Sequence, residues 1–150
     1  MLREEAATLM RLAGREDCEL SILLTGDRRM RRLNAYFRFR DKPTDVLSFG
    51  QMTDGDLGGF AVAPGEYRPA DSILIGDVVI SWETAARQAR EMDISIAQRL
   101  RTLLVHGFLH LLGHDHEKSK ADAKLMFEYQ DRLERALAEA EKTGGHGQPR

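Results

Sequence analysis

Four of the five histidines in this 150-residue chain fall between residues 106 and 116. The run Val105 to His116 reads VHGFLHLLGHDH. His106 and His110 stand four apart in a stretch of helical character, so their imidazoles neighbour each other on one face, with Cβ atoms about 5–6 Å apart. That spacing lets two ring nitrogens reach one metal ion. Gly113 ends the helix and turns the chain back, which lets His116 supply a third nitrogen. Three protein ligands with a fourth position open are the pattern of a catalytic rather than a structural zinc. Three neutral imidazoles preserve the charge of the ion, which can bring the pKa of its water to around 7. Without a metal, imidazoles buried in a run of Leu, Val and Phe would leave ring nitrogens in need of partners. His114 is read as a bystander, because three ligands complete the set, with an exchange between His114 and His116 left open. His146 falls in the tail and is read as solvated.

The elements that must hold these residues follow from periodicity. Residues 2–13 predict a helix, with Leu2, Ala6, Leu9, Met10 and Ala13 at helical spacing and Gly14 as a stop. Cys18 to Thr25 predicts a strand closed by Gly26-Asp27, and Asp27 is the expected cap of a helix carrying Met30, Leu33 and Phe37 on one side. Pro43 disfavours helix at Lys42, and Val46 to Phe49 reads as a short strand. Gly50 to Asp71 turns to Gly, Pro and Asp and reads as a hairpin or exposed loop. Ile73 to Ile80 is β-like and mostly apolar, hence an inner strand, and Ser81 caps a helix running to about Glu91.

A longer helix starts near Ser95 and runs to Leu112. It is apolar nearly all round from Leu103 onward, which places it in the middle of the domain. A final helix covers about 118–142, with Leu125, Met126, Tyr129, Leu133 and Leu137 inward, and residues 143–150 are expected to be disordered. The order predicts an α+β domain over residues 1–142, a small mixed β-sheet covered by helices around a central buried helix with the metal ligands.

Composition sets outer limits. A hydrophobic fraction of 42% and a charged fraction of 31% are ordinary for a globular protein, and no stretch approaches a membrane span. The opening MLREEAATLM mixes charge into a helical pattern and does not read as a secretory leader. Cys18 is the single cysteine, so no internal disulfide and no cysteine-rich metal site is available. It reads as a small core residue, and a reducing cytoplasm is the expected compartment. Net charge is only −2, yet Arg28, Arg29, Arg31, Arg32, Arg38, Arg40 and Lys42 cluster against a single acid, Asp41. Such segregation attracts an anionic partner to one face.

The spacing His-x3-His-x5-His also matches the metzincin proteases, which carry a glutamate general base directly after the first histidine. Here that position is Gly107, which cannot move a proton. Three other features point elsewhere. LNAYFRFRDKPTDVLSF from Leu33 to Phe49, GDVVIS from Gly76 to Ser81 with Glu83 after it, and VHGFLHLLGHDH together resemble the YbeY family of bacterial endoribonucleases, zinc-dependent rRNA maturation factors. The three segments cover about a quarter of the chain in the family's order. Phe37 replaces the usual tyrosine, Gly50 a common proline and His114 a frequent tyrosine, and none of these is a proposed ligand.

The resemblance implies one zinc per chain on His106, His110 and His116, and a functional arginine that falls on Arg38. It implies a single-strand-specific endoribonuclease in rRNA maturation (16S rRNA 3′-end processing) and ribosome quality control. Its partners would be rRNA and a ribosomal subunit or ribosome-associated proteins. A guanidinium can hold a phosphate by two parallel hydrogen bonds and stabilise the charge that develops in transfer. Arg40, Lys42 and the Arg28–Arg32 cluster would add attraction to the RNA backbone. Tyr36, Phe37 and Phe39 could stack on bases, with core packing expected for at least two of them. Asp115 either orients a ligand histidine or forms the turn before the last helix. Asp77 reads as structural, and Thr44 and Asp45 as the turn into the next strand. The competing readings are a metalloprotease on the same histidine frame and a non-catalytic zinc-binding ribosome-assembly factor.

Overall fold

The computed structural model describes residues 1–50, 73–114 and 119–144. Its elements are α1 (Leu2–Leu12), β1 (Cys18–Thr25), α2 (Asp27–Arg38), β2 (Val46–Gly50), β3 (Ile73–Ser81), α3 (Trp82–Met92), α4 (Ile96–Leu111) and α5 (Lys120–Gly144). Among the described residues the sheet has the order β1-β3-β2. β1 runs parallel to β3, from Cys18 opposite Ile73 to Thr25 opposite Ser81, with a register shift between Glu19 and Leu20. β2 runs antiparallel to β3, from Val46 opposite Ile80 to Gly50 opposite Gly76. The mixed sheet and the inner position of β3 are as expected. β3 can be apolar on both sides because helices cover both.

Alternation along β3 assigns those two faces. Val78 and Ile80 alternate into the main core, and Ile75, the extra β3 residue at the register shift, joins them there; they meet Leu9 and Met10 of α1, Leu104, Phe108 and Leu109 of α4, and Met126, Leu133 and Leu137 of α5. Val79 points the other way and packs with Met30 of α2 and Leu47 of β2. So α4 and α2 lie on opposite faces of one thin sheet.

α4 starts on a reciprocal cap: Gln98 N–H donates to Ser95 Oγ at 3.1 Å and Ser95 N–H donates to Gln98 Oε1 at 3.1 Å. Its wide apolar surface then buries Leu103, Leu104, Val105, Phe108 and Leu109. Arg101, itself buried, ties α4 to Glu5 of α1 at 2.6 Å and to Glu141 of α5. Arg99 joins α4 to Asp45 at the start of β2 at 3.3 Å, and Gln88 of α3 bonds both partners. Asp45 also accepts from Val46 N–H at 2.8 Å, which makes it the turn residue expected there.

Several expectations need correction. Asp27 does not cap α2; Gly26 holds that position and Asp27 is the first helical residue. Its carboxylate instead accepts from Ser81 Oγ at 2.6 Å and from Thr84 Oγ1, and pairs with Arg87 at 2.7 Å, locking α2 to α3. Burial pushes this carboxyl up, but the bonds from Arg87, Ser81 and Thr84 and the charge of Arg87 outweigh that and hold it down to about 2. Leu125 is exposed rather than inward, and Cys18 is half-buried against the core rather than within it. α5 continues through Thr143 to Gly144, two residues into the expected tail. The remaining tail, including His146, lies outside the described residues, as does the Gly-Pro-rich stretch after Gly50. Among the described residues no helix is long and apolar enough to cross a membrane.

Candidate active site

His106 and His110 emerge from the one side of α4 that the core does not seal; both are half-buried. Their Nε2 atoms approach to 3.0 Å and their rings cross edge-on with centroids 4.6 Å apart. His106 Nδ1 meets Gln130 Oε1 of α5 at 3.3 Å. An amide oxygen only accepts, so that contact puts the ring proton on Nδ1 and leaves the Nε2 lone pair of His106 facing His110. Two nitrogens held about 2.0–2.1 Å from one tetrahedral zinc stand roughly 3.3 Å apart. The pair therefore needs only a few tenths of an ångström to share an ion, and Gln130 orients the first ring as an outer partner of a ligand does.

The helix then ends as the sequence implies. Gly113 takes φ 94° and donates its N–H to His110 O at 3.0 Å, and His114 N–H bonds Leu109 O at 3.0 Å. The His114 ring lies stacked on Tyr129 of α5, centroids 5.4 Å apart, which gives it a packing partner of its own. His116 and Asp115 lie outside the described residues. Among the described residues no third His, Cys, Asp or Glu gathers with the pair.

Gly107 explains why α4 sits where it does. A Cβ there would come within 2.8 Å of Val78 Cγ1 and 3.0 Å of Ser48 Oγ. The helix backbone is pressed onto β2 and β3, and Ser48 Oγ donates to Gly107 O at 3.0 Å. The position that holds a general base in metzincins is here filled by the sheet, with no room for a glutamate.

Ser48 also holds Arg38. From the far side of the sheet, Arg38 Nη2 donates to Ser48 O at 2.9 Å, and its guanidinium lies 5.7 Å from the centroid of the Phe49 ring. Arg38 and the histidine helix thus meet at one residue of β2. A guanidinium has five N–H donors, so one bond to a carbonyl leaves a fork able to take a phosphate. Arg40 and Lys42 are exposed in the turn that follows, where buried Asn34 fixes the backbone by donating to Lys42 O at 2.8 Å. Arg31 holds Asp41 by two parallel bonds of 2.8 and 3.1 Å, which keep that carboxyl below its ordinary value.

The chain matches the family described as Endoribonuclease YbeY over residues 2–138. It belongs to that family. Endoribonuclease YbeY of Anaeromyxobacter dehalogenans is 47% identical over 135 residues, which span 90% of this chain and 62% of that protein. The chain therefore spans less than two thirds of the length of that relative. Endoribonuclease YbeY of Geobacter metallireducens is 41% identical over 126 residues, 83% of this chain and 77% of the relative. That of Aquifex aeolicus is 40% identical over 127 residues, 85% of this chain and 75% of the relative. A Thermotoga maritima protein solved in solution has the same fold, with TM-score 0.63 and 24% identity over 99% of this chain and 89% of its own.

Two contributors to the site were not anticipated. Gln130 sits in an ordinary amphipathic helix, and only the packing of α5 on α4 brings it to His106. Ser48 lies within the quoted DVLSF segment, but its part as the link between Arg38 and α4 depends on which sheet edge it occupies. Tyr36, Phe37 and Phe39 were expected to include at least two core residues, and all three are exposed instead.

Proposed function

We propose that the chain is a metal-dependent endoribonuclease that cleaves single-stranded RNA, matures the 3′ end of 16S rRNA, acts in ribosome quality control, and works on ribosomal particles in the cytoplasm. One zinc would be held by His106, His110 and His116, within a domain formed by residues 1–142. The observation that carries this reading is the 3.0 Å approach of the His106 and His110 Nε2 atoms, on a helix whose Gly107 O accepts from the same Ser48 whose own carbonyl accepts from Arg38. Family membership over residues 2–138 supports the reaction class.

When bound, zinc supplies Lewis acidity toward a phosphate oxygen and acidifies water. The other roles fall to the chain's own residues. Gln130 keeps the His106 proton on Nδ1 so that Nε2 can act as a ligand. Arg38, anchored on Ser48 O, clamps the phosphoryl oxygens and offsets the charge that grows on them. Arg40 and Lys42, exposed in the adjoining turn, draw the anionic backbone to the site. The protease alternative loses support, because Gly107 has no side chain to move a proton and no space for one.

The test pairs metal analysis with two substrates. The purified chain should carry about one zinc, cleave unstructured RNA, spare casein, and lose RNA cleavage on chelation. His110→Ala should lose both metal and activity, whereas His114→Ala keeps the metal. Full zinc content in the His110 variant would remove the ligand assignment. Metal-loaded protein that binds RNA without cutting it would instead favour an assembly factor whose zinc only holds the helix turn.

A further inference from the structure

Three aromatic side chains close α2, and none is buried. Tyr36, Phe37 and Phe39 leave 76%, 49% and 91% of their surfaces in solvent. Rings so exposed return little of the stabilisation that burial would provide. Phe39 is also held at φ 58°, in the left-handed region where glycine or asparagine normally ends a helix. Folding gains nothing from a phenylalanine at this position.

The rings have an order. Phe49, Phe37 and Tyr36 follow one another in edge contacts, with centroids 4.9 and 4.8 Å apart, and Arg38 lies against the first of them. Beyond Tyr36 opens a groove of about 640 Å³ lined by Arg28, Arg32 and Tyr36, with the Arg31–Asp41 pair on its wall. Arg28, Arg32 and Tyr36 are four apart in turn and form one stripe along α2. Asp41, the one acid of the segment, is already held by Arg31. The surface is therefore strongly cationic with aromatic faces interleaved, which is the chemistry of a groove for single-stranded nucleic acid.

We propose that Tyr36 and Phe39 form a stacking platform for unpaired bases of an RNA strand whose phosphates are held by Arg28 and Arg32. It extends from the Arg38 site along the opposite face of the sheet from the histidines. The platform rests on the reading of single-stranded RNA as substrate, and it assigns residues to that preference. A base inside a duplex has both faces occupied by its neighbours, so only an unpaired base can stack on a protein ring. Charge alone would hold a duplex as well as a single strand. The platform supplies the discrimination, and it does so without reading sequence.

The test measures binding by fluorescence anisotropy of the full chain with a labelled unstructured RNA and with a blunt RNA duplex of equal length. Tyr36→Ala should weaken the single strand about tenfold and the duplex hardly at all. Tyr36→Phe should restore binding, and Tyr36→Leu, apolar but not planar, should not. Phe39→Gly should also weaken the single strand while raising the melting temperature, because it relieves the left-handed phenylalanine. A parent chain that binds no RNA would overturn the RNA reading and the platform together. A parent that binds while Tyr36→Ala and Phe39→Gly bind equally well would overturn the platform alone and leave the patch to a protein partner. Equal losses on single strand and duplex would also overturn it, since stacking would not be what was removed.

Discussion

Helices α2 and α4 face each other across one sheet, and they are built to opposite plans. In α4, eight residues from Arg101 to Leu111 are buried, the start is fixed by a capping box, and the backbone at Gly107 is in van der Waals contact with β2 and β3. In α2 only Met30 and Asn34 are buried, and the end of the helix carries its largest rings in solvent. The contrast follows from what each must do. Two imidazoles can share an ion only if their nitrogens are placed to a few tenths of an ångström, and a close-packed core supplies that rigidity. Attraction of a polyanion acts over several ångströms, tolerates motion, and requires cations that reach water.

Arg38 is where the two plans meet, and removing it should have the largest effect. An arginine that stabilises charge developing on a phosphate acts in the transition state, so Arg38→Ala should lower turnover on the order of a hundredfold or more and change substrate binding less. Arg38→Lys should rescue poorly, because an ammonium keeps the charge and loses the planar fork. Both variants should retain zinc. Steady-state kinetics with metal analysis decides it. Unchanged turnover in a zinc-loaded Arg38→Ala protein would make the bond to Ser48 O purely structural.

Gln130 tests the α4 side alone. Losing a partner that fixes a ligand histidine costs about 10–100-fold in metal affinity. Gln130→Leu should show that loss in a competition titration with a chelating dye, while its affinity for RNA in the absence of metal stays at the parent level. A parent-like zinc affinity would mean that packing by itself sets the His106 ring.

The smallest effect is expected at the other end of α2. Asp27 has a folded-state pKa of about 2, below the ordinary 3.8. A depressed carboxyl contributes stability above its unfolded value and loses it as pH falls through the folded value, here between about 4 and 2. Asp27→Asn should cost at most roughly 2 kcal/mol near neutral pH, and the gap from the parent should close as pH approaches 2. Denaturant unfolding at pH 6 and pH 2.5 reads the full gap and its narrowing. A gap of constant size would show that the asparagine disturbs packing rather than removing a charge.

What could be read directly from the chain was whatever depends on near neighbours. Helical spacing put His106 and His110 on one face, Ser95 marked a helix start, Gly113 marked its end, and the apolar run of β3 marked an inner strand. Each rests on contacts within a few residues, where the backbone itself sets the geometry. The order β1-β3-β2, the pressing of Gly107 against Val78 and Ser48, the approach of Gln130 to His106, and the use of Asp27 as a tie to Ser81 and Arg87 join residues 24 to 60 positions apart. Periodicity says that a helix has an apolar side, but not how far the neighbouring elements reach to cover it. Tyr36, Phe39 and Leu125 are apolar by type and exposed by position for that reason, because burial is a property of the assembled surfaces rather than of the residue.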